Sequence, residues 1–375
     1  MKKENYLLIE ELRHELHRHP EISYQETWTK QHLMQFLEQH TNLELHDEGK
    51  YFYVVWHAIE KNIEKKAVAF RADFDALPIE DEIEAPYRSC IPGVGHKCGH
   101  DGHAAALCGL GLELEALQPD RDIYLIFQHA EETGQGAVEA KDVLVRNPQI
   151  GEIYGFHNQV KEELGKVLVA KDVSNCASKC MSIFMKGTPT HASLPERGKN
   201  PVFALTRIVD AIPEFTNPSR YQGLVLCTIV QLDVGEYAFG TAASEGVLRM
   251  TIRAENERER DVLQQQIEDL CKKEAEKEGL ALHFEYEDVF PETRNSMTCV
   301  QKVYQAAELL GYPAMEKPIS RGSEDFGYYT KVVPGALFYI GGGIDTPSFH
   351  TSNYDFTDEI MENAVEMFKM LIQLS

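Results

Sequence analysis

Three histidines, one cysteine and one aspartate occur within the eleven residues GHKCGHDGHAA, at positions 95–105. Thiolate, imidazole and carboxylate groups together are typical ligands of zinc, and they also suit manganese, cobalt and nickel. Cys98 and His100 are two residues apart, and on an extended segment such residues point to the same side. The spacing therefore predicts that both face one metal site, although a single Cys–His pair also occurs among packed side chains.

Other potential ligands follow apolar runs that are predicted to be strands. Glu131 and Glu132 come after IYLIFQHA, His157 ends the run GFH, and His350 lies just before the last predicted helix. The carboxyl ends of the strands in an α/β sheet meet at a common crevice. We therefore expect these four residues to lie beside the Cys–His pair.

The number of ligands indicates two metal ions rather than one. One cysteine, three histidines and a glutamate are too many for a single tetrahedral ion, but they fit two ions that share a bridging ligand and a bridging water. Two such ions lower the pKa of the water and polarise a carbonyl group. Of the adjacent Glu131 and Glu132, one can bind metal while the other acts as a general base. A pair of surface acids would not explain the apolar strand before them.

The order of the predicted elements divides the chain into an α/β domain and an inserted domain. Apolar strands alternate with helices such as the one predicted over residues 104–117, and Thr357 is predicted to be the N-cap of a final helix. Between them, CMSIFMKG begins a β-α-β-β-α-β series of the ferredoxin-like type. We therefore predict an α/β domain of residues 1–175 and 289–375, interrupted by a smaller domain of residues 176–288.

Composition and charge disfavour two classes of partner. The chain has 60 acidic and 37 basic residues and a formal net charge of −23, so its surface repels nucleic acid and anionic membranes. Its N-terminal region has no apolar run of the length found in signal peptides or membrane spans. The eight cysteines are irregularly spaced, unlike those of a disulfide framework. These features predict a cytoplasmic protein with reduced thiols.

An ordered set of motifs resembles the M20 metallopeptidase family over essentially the whole chain. The similarity is greatest to its amidohydrolase branch, which contains hippurate hydrolases, N-acyl-amino-acid deacylases, auxin-conjugate hydrolases and N-acetyldiaminopimelate deacetylases. The motifs are LHRHPEISYQE, RADFDALPIED, CGHDGH, FQHAEETGQGA, GFH, GTPTHASLPERGKNP, GSEDF and FHTSNYDF. The resemblance implies a catalytic α/β domain of the metallopeptidase type and an inserted lid that mediates dimerisation.

The resemblance also implies which residues bind two divalent ions, which could be Zn, Mn, Ni or Co. Cys98 stands where most of the wider family has a bridging carboxylate. The implied metal ligands are Cys98, His100, Glu132, His157 and His350.

Three further residues match positions with catalytic roles in the family. Glu131 matches the general base, which passes a proton from the bridging water to the leaving amine. Asp75 matches the aspartate that orients a ligand histidine, whereas Asp73 is two residues earlier on the same face of the strand. His191 matches a histidine of the smaller domain that stabilises the oxyanion, often across a homodimer.

The chain departs from the branch at several positions. His96 and His129 stand where the branch commonly has methionine and proline. In FGTAASEG, Gly240 replaces an asparagine of a segment that positions the substrate. Arg253 could hold a substrate carboxylate or pin the sheet. These departures leave the substrate open without affecting the predicted metal site.

The implied function is a metal-dependent amidohydrolase that cleaves N-acetyl or other N-acyl amino acids, or related small conjugates. A metal-bridging hydroxide would attack the amide, with Glu131 as general base. A dipeptidase or aminopeptidase of the same family, which would recognise a free α-amine, is the competing hypothesis within the hydrolases. Outside them, the chain could be a non-catalytic metal-dependent binding protein or a purely structural dimer. The presence of every expected ligand, together with Glu131 and Asp75, argues against both of these non-catalytic roles.

Overall fold

Apolar runs form the strands, and stretches with apolar residues every three or four positions form the helices, in a computed structural model that describes residues 1–375. The α-helices are α1 Lys3–Arg18, α2 Thr27–His40, α3 His100–Leu117, α4 Gly136–Ala140, α5 Asp142–Arg146, α6 Val202–Phe215, α7 Glu257–Glu278, α8 Met297–Leu310, α9 Gly327–Thr330 and α10 Ile360–Leu374. The strands are β1 Glu44–Asp47, β2 Phe52–Trp56, β3 Ala67–Asp73, β4 Ile123–Gln128, β5 Ile150–Gln159, β6 Val167–Val169, β7 Val173–Asn175, β8 Ala177–Lys186, β9 Thr190–His191, β10 Val225–Val234, β11 Thr241–Ala242, β12 Glu245–Ala254, β13 Ala281–Phe290, β14 Thr293–Arg294, β15 Ala314–Glu316 and β16 Gly335–Gly341.

The chain forms two units, each with its own core. The first consists of Met1–Ser174, Thr293–Ile319 and Glu324–Ser375. The second consists of Asn175–Glu292 and the short segment Ser320–Ser323. No helix in the structure has the length and apolar character needed to span a lipid bilayer.

The first unit is built on an eight-stranded sheet with the order β1-β2-β4-β3-β5-β16-β6-β15. Every residue of β3, β4 and β16 is buried because helices cover both faces of the sheet. One core contains side chains of α1, α3, α8 and α10, including Phe368, whose ring lies 5.0 Å from that of Phe70. The opposite core contains residues of α4, α5 and α9. The predicted α/β fold class is confirmed.

The topology of this sheet determines where the site can form. The neighbouring strands β4, β3, β5 and β16 are all parallel. Their carboxyl ends therefore meet at one edge of the sheet, where loops and helix N-termini can converge. Asp75 follows β3, and Glu131 and Glu132 follow β4 at this edge. His157 lies within β5 rather than after it, because that strand continues to Gln159.

The second unit contains a four-stranded antiparallel sheet with the order β10-β12-β8-β13. Helices α6 and α7, the latter through Leu263, contribute to one core with the inward side chains of these strands, among them Ile183 and Leu248. In sequence, the main elements follow the order β8-α6-β10-β12-α7-β13. The predicted ferredoxin-like β-α-β-β-α-β arrangement is therefore present.

The start of the last helix differs from the prediction. Helix α10 begins at Ile360, and Thr357 does not cap it. The Thr357 hydroxyl instead donates a hydrogen bond to the carbonyl oxygen of Gly342, at 2.7 Å. The Thr357 side chain therefore makes a tertiary contact instead of the helix cap that local sequence preference predicts.

Candidate metal centre

The turn that carries Cys98 and His100 is not the extended segment that the spacing suggests. Gly99 adopts a left-handed conformation with φ of +102°, and α3 begins at His100. A Cβ atom at Gly99 would lie 2.7 Å from Oδ1 of Asn158, so a larger residue does not fit without rearrangement. The two side chains still converge, because the glycine reverses the chain between them.

Two groups of three potential ligands meet at Cys98. Within each group the nearest ligand atoms all lie within 4.8 Å of one another. The Cys98 sulfur lies 3.6 Å from Nε2 of His157, and Oε1 of Glu132 lies 3.5 Å from Nε2 of His350. The groups are Cys98, His100 and His157, and Cys98, Glu132 and His350. Together they contain all five residues that the sequence predicts as ligands.

Two buried atoms of this cluster have no hydrogen-bond partner in the structure. They are Nε2 of His100 and Oε1 of Glu132, which lie 3.8 Å apart. An unpaired polar atom in a protein interior is costly, so nearly all such atoms are satisfied by a partner. A cation held between an imidazole nitrogen and a carboxylate oxygen provides that partner for both.

Hydrogen bonds on the far side of the His100 and His157 rings orient the ligand nitrogens of these two residues. Nδ1 of His100 lies 3.1 Å from Oδ1 and 3.0 Å from the backbone carbonyl oxygen of Asp75, and Nδ1 of His157 lies 2.7 Å from the carbonyl oxygen of Asn158. Since Nδ1 donates to oxygen in these contacts, each ring in its neutral form carries its lone pair on Nε2. Each Nε2 then points toward the other ligands, as metal-binding histidines require.

Asp75 joins two parts of the cluster. Its Oδ2 atom accepts hydrogen bonds from the Ser23 hydroxyl, at 2.7 Å, and from the backbone N–H of Glu132, at 3.0 Å. Its Oδ1 atom faces His100. The buried Asp75 carboxylate therefore holds one ligand by its ring and another by its backbone.

The electrostatics of the cluster favour a positive charge. Burial raises the pKa of the Cys98 thiol, and the nearby Glu132 carboxylate raises it further. Burial also holds the pKa of Glu131 well above its usual range, with additional repulsion from Glu324 and Glu132. A divalent cation offsets this repulsion and stabilises the thiolate. The residues therefore fit a divalent metal in three respects. Their donor atoms are typical metal ligands, two of their buried polar atoms have no partner, and their acidic groups repel one another.

Glu131 lies beside the ligands but belongs to neither group that contains Cys98. Its Oε2 atom is 3.9 Å from Nε2 of His100. It also forms a buried carboxylate cluster with Glu324 and Asp325, whose oxygens lie within 4.8 Å of one another. Glu131 therefore lies between the predicted ligands and a second set of acids.

The cation that balances those acids is Arg71, to which the sequence analysis assigned no role. Its guanidinium contacts Asp73 at 2.7 Å, Asp325 at 2.6 Å and Glu324 at 3.2 Å. All of these side chains are buried. The one available signal was a charged residue within the apolar run of β3, because arginine is rarely buried without a partner.

Asp73 and Asp75 have different partners. Oδ1 of Asp73 lies 2.6 Å from Nδ1 of His103, and the other nitrogen of that ring lies 2.8 Å from Oδ1 of Asn158. His103 is therefore a buried, hydrogen-bonded residue whose ring lies 4.5 Å from that of His157. Of these two aspartates, only Asp75 contacts Nδ1 of a predicted ligand.

His191 and Arg253 both belong to the second unit. His191 is exposed in β9, where Nδ1 contacts the Ser193 hydroxyl at 2.7 Å, and its role in the reaction stays a prediction. The Arg253 guanidinium donates hydrogen bonds to the Arg321 carbonyl and to the Ser323 hydroxyl. Arg253 therefore pins Ser320–Ser323 to this unit.

The two histidines that depart from the branch are buried, and neither ring nitrogen of either residue has a hydrogen-bond partner. Burial lowers the pKa of His96 to about 4. Burial also lowers the pKa of His129, whose ring centroid lies 5.4 Å from that of Tyr24. Both are neutral at pH 7, and neither joins a group of potential ligands.

Comparison with known families agrees with a hydrolytic metal site. Residues 69–374 match the model of peptidase family M20/M25/M40, and the chain belongs to this family of hydrolases. The resemblance to the M20 family is thereby confirmed.

Two curated relatives match nearly the full chain. An N-acetylcysteine deacetylase of Bacillus subtilis (strain 168) is 27% identical over 364 residues, which cover 96% of this chain and 94% of the relative. A hippurate hydrolase of Campylobacter jejuni is 28% identical over 371 residues, which cover 97% of this chain and 95% of the relative.

A solved structure shows the same fold. The YXEP protein of Bacillus subtilis, described as a dinuclear metal binding peptidase from the M20 family, superposes with a TM-score of 0.84. The match covers 100% of this chain and 99% of that one at 24% identity.

Proposed function

We propose that the protein is a dinuclear metal-dependent amidohydrolase that cleaves the amide bond of N-acyl amino acids or related small conjugates. The observation that carries this proposal is the pair of three-residue ligand groups that share Cys98, with Glu131 beside them. The names of two relatives, an N-acetylcysteine deacetylase and a hippurate hydrolase, support the substrate class.

The five predicted ligands would hold two divalent ions, with Cys98 common to both. When bound, such ions polarise the substrate carbonyl and lower the pKa of a water molecule. The ligand set suits Zn, Mn, Ni or Co, and metal availability decides among them as much as affinity does.

Glu131 is the proton carrier in this proposal. It would take a proton from the attacking water and deliver it to the nitrogen of the leaving amine. Burial and neighbouring carboxylates raise its pKa, so that the side chain can retain the proton between these two steps. Asp75 would keep His100 in the tautomer that leaves Nε2 free, through the 3.1 Å contact with Nδ1.

The second unit would contribute the lid and the interface of a homodimer. His191 would donate a hydrogen bond to the oxyanion that develops on the substrate carbonyl. Strand β10 lies at the edge of the sheet and exposes apolar side chains, including Ile229, Val230 and Leu232. An exposed apolar edge strand is suited to pairing with a second copy of the chain.

The test is hydrolysis by the metal-reconstituted protein of N-acetyl and N-benzoyl amino acids, beside matching dipeptides. Turnover of the acyl amino acids by wild type, absent from Glu131→Gln at equal metal content, is the expected result. Turnover of dipeptides alone would assign the protein to the peptidases of the family. Failure of the protein to bind any divalent metal would overturn the proposal.

A further inference from the structure

The segment between α1 and α2 lies against both loops that carry the proposed catalytic carboxylates. Ile22 forms a β-bridge with Ala76, and the backbone N–H of Ala76 donates to the carbonyl oxygen of Glu21 at 2.9 Å. The Ser23 hydroxyl then reaches Asp75. This segment is therefore fixed beside the end of β3.

Three residues later, the same segment reaches the loop of Glu131. Oε1 of Glu26 accepts a hydrogen bond from the backbone N–H of Ala130, at 2.8 Å. Ala130 is fully buried, and Glu26 is only 7% exposed. Since β4 has already ended at Gln128, the sheet offers this N–H no partner, and Glu26 supplies the one that a buried donor needs.

Ala130 has an unfavourable backbone conformation. Its φ is +47°, in the left-handed region that residues with a Cβ atom rarely adopt. Its carbonyl oxygen accepts from the N–H of Gly136 at 3.1 Å and from the Thr133 hydroxyl at 3.3 Å. Such strain persists only where surrounding contacts enforce it, and it concentrates at functional sites. Glu26 provides the contact on the N–H side.

We propose that Glu26 is a positioning residue, which holds Ala130 in the left-handed conformation and so directs the side chain of Glu131 toward the ligand cluster. This inference rests on the proposed amidohydrolase function, because it assigns to Glu26 an effect on the proton carrier of that reaction. The contact that carries this role is the hydrogen bond from the backbone N–H of Ala130, the residue next to Glu131.

The charge of Glu26 is not the feature that matters. Burial, together with the nearby Asp75 carboxylate, raises the pKa of Glu26 to about 8. The side chain is therefore mainly a neutral acid at pH 7, and its carbonyl oxygen still accepts from Ala130. Glutamine offers the same acceptor at the same reach, whereas leucine offers none.

Glu21 provides a matched control. Its carboxylate also accepts hydrogen bonds from backbone N–H groups, those of Trp28 and Thr29 at the start of α2, at 3.1 and 2.8 Å. These two hydrogen bonds go to residues of α2 and not to the loop that carries Glu131. Glu21→Leu therefore removes the same kind of bond from the same segment.

The experiment compares kcat, KM and melting temperature for wild type, Glu26→Gln, Glu26→Leu and Glu21→Leu on an N-acyl amino acid. We expect Glu26→Leu to lower kcat by about 100-fold with KM within a few fold, as for a misplaced catalytic group. Glu26→Gln restores kcat, and Glu21→Leu lowers the melting temperature with kcat retained. Should Glu26→Leu fail to fold, Glu26→Asp takes its place, since its carboxylate is one methylene short of Ala130.

Hydrogen exchange of the Ala130 amide, measured by mass spectrometry, gives a second readout that needs no substrate. Faster exchange in Glu26→Leu, but not in Glu26→Gln or Glu21→Leu, is expected. Wild-type kcat in Glu26→Leu, or equal loss of kcat in both Glu26 variants, would overturn the inference. If wild type hydrolyses none of the panel, the proposed function fails. In that case hydrogen exchange alone tests the role of Glu26. Equal exchange rates of the Ala130 amide in wild type and Glu26→Leu would overturn that role.

Discussion

The Nδ1 atom of His100 lies 3.1 Å from Oδ1 of Asp75 and 3.0 Å from the backbone carbonyl oxygen of the same residue, and these two contacts determine which nitrogen of the neutral ring is free. The other oxygen of the same carboxylate holds the backbone N–H of Glu132 at 3.0 Å. One side chain therefore orients two of the five potential ligands, one by its ring and one by its backbone.

Asp75→Asn is expected to weaken metal binding by about 10- to 100-fold, the usual effect of removing such a partner. The amide removes the negative charge that faces Nδ1 of His100, so that the backbone carbonyl oxygen of residue 75, 3.0 Å from Nδ1, is the acceptor that remains to hold the ring. Competition with a chromogenic chelator measures the affinity. Ser23→Ala, which removes one hydrogen bond to Asp75 without touching His100, is the control and should remain within a few fold of wild type. Equal affinities for Asp75→Asn and wild type would contradict the prediction.

Glu131 and Glu132 are adjacent, yet their substitution should separate metal binding from catalysis. Glu132→Gln is expected to bind fewer ions, because Glu132 belongs to the group with Cys98 and His350. Glu131→Gln should keep the full metal content and lose at least about 100-fold in kcat, as expected for a general base. Elemental analysis after dialysis, paired with kcat, makes the comparison. Metal loss in Glu131→Gln would assign it to the ligands instead.

Gly99→Ala should destabilise the protein by about 1–3 kcal/mol through backbone strain, with a further cost from the clash. The residue has a φ of +102°, and its Cβ would lie 2.7 Å from Oδ1 of Asn158. Urea denaturation measures the change. Gly240→Ala is the control, since nothing lies within 4 Å of the added Cβ and its φ is not left-handed. A Gly99→Ala protein as stable as this control would contradict the structure.

Arg71→Met is expected to cost about 3–5 kcal/mol of unfolding free energy, because it leaves buried carboxylates without their cation. Arg71 contacts Asp73, Glu324 and Asp325, all of them buried. Arg88→Met, which removes an exposed ion pair with Glu80, should change stability by less than about 1 kcal/mol. Similar losses for the two arginines would show that the buried network contributes little.

The buried His129 is expected to make the stability of the protein depend on pH. Burial lowers its pKa in the folded state, so below pH 6.5 the unfolded chain binds a proton that the folded chain does not. Stability therefore falls as the pH falls. Between pH 7.5 and 5.5, wild type should lose up to about 1.4 kcal/mol more than His129→Phe. Urea denaturation measures the unfolding free energy of both proteins. An equal loss of unfolding free energy in wild type and His129→Phe across that pH range would contradict the prediction.

Much of the fold could be predicted from sequence because it depends on local patterns. The apolar runs of β3 and β4 are buried on both faces, and the alternation in β12 reflects a sheet covered on one side. Residues at the ends of these strands could be grouped because parallel strands share an edge. The geometry of Cys98 and His100 could not be predicted, since it depends on the left-handed conformation of Gly99 rather than on an extended chain.

The residues that the sequence analysis left without a role act through long-range contacts. Arg71 and Asp325 are far apart in the chain, and their 2.6 Å contact is visible only in the fold. Glu26 likewise acts on the backbone of Ala130, which has no side-chain signal. Local preference predicts a helix cap at Thr357, whereas the hydrogen bond of its hydroxyl to Gly342 depends on the tertiary fold.

The position of His350 has a consequence for how the protein is made. Cys98, His100, Glu132 and His157 precede the second unit in the sequence, and His350 follows it. The second unit is nearly continuous, and domains generally fold as units during synthesis. The ligand cluster, in contrast, is complete only after His350 has left the ribosome. At the proposed metal site, full loading would therefore be a late event in biogenesis, and a translation product that ends before His350 would lack one of the five ligands.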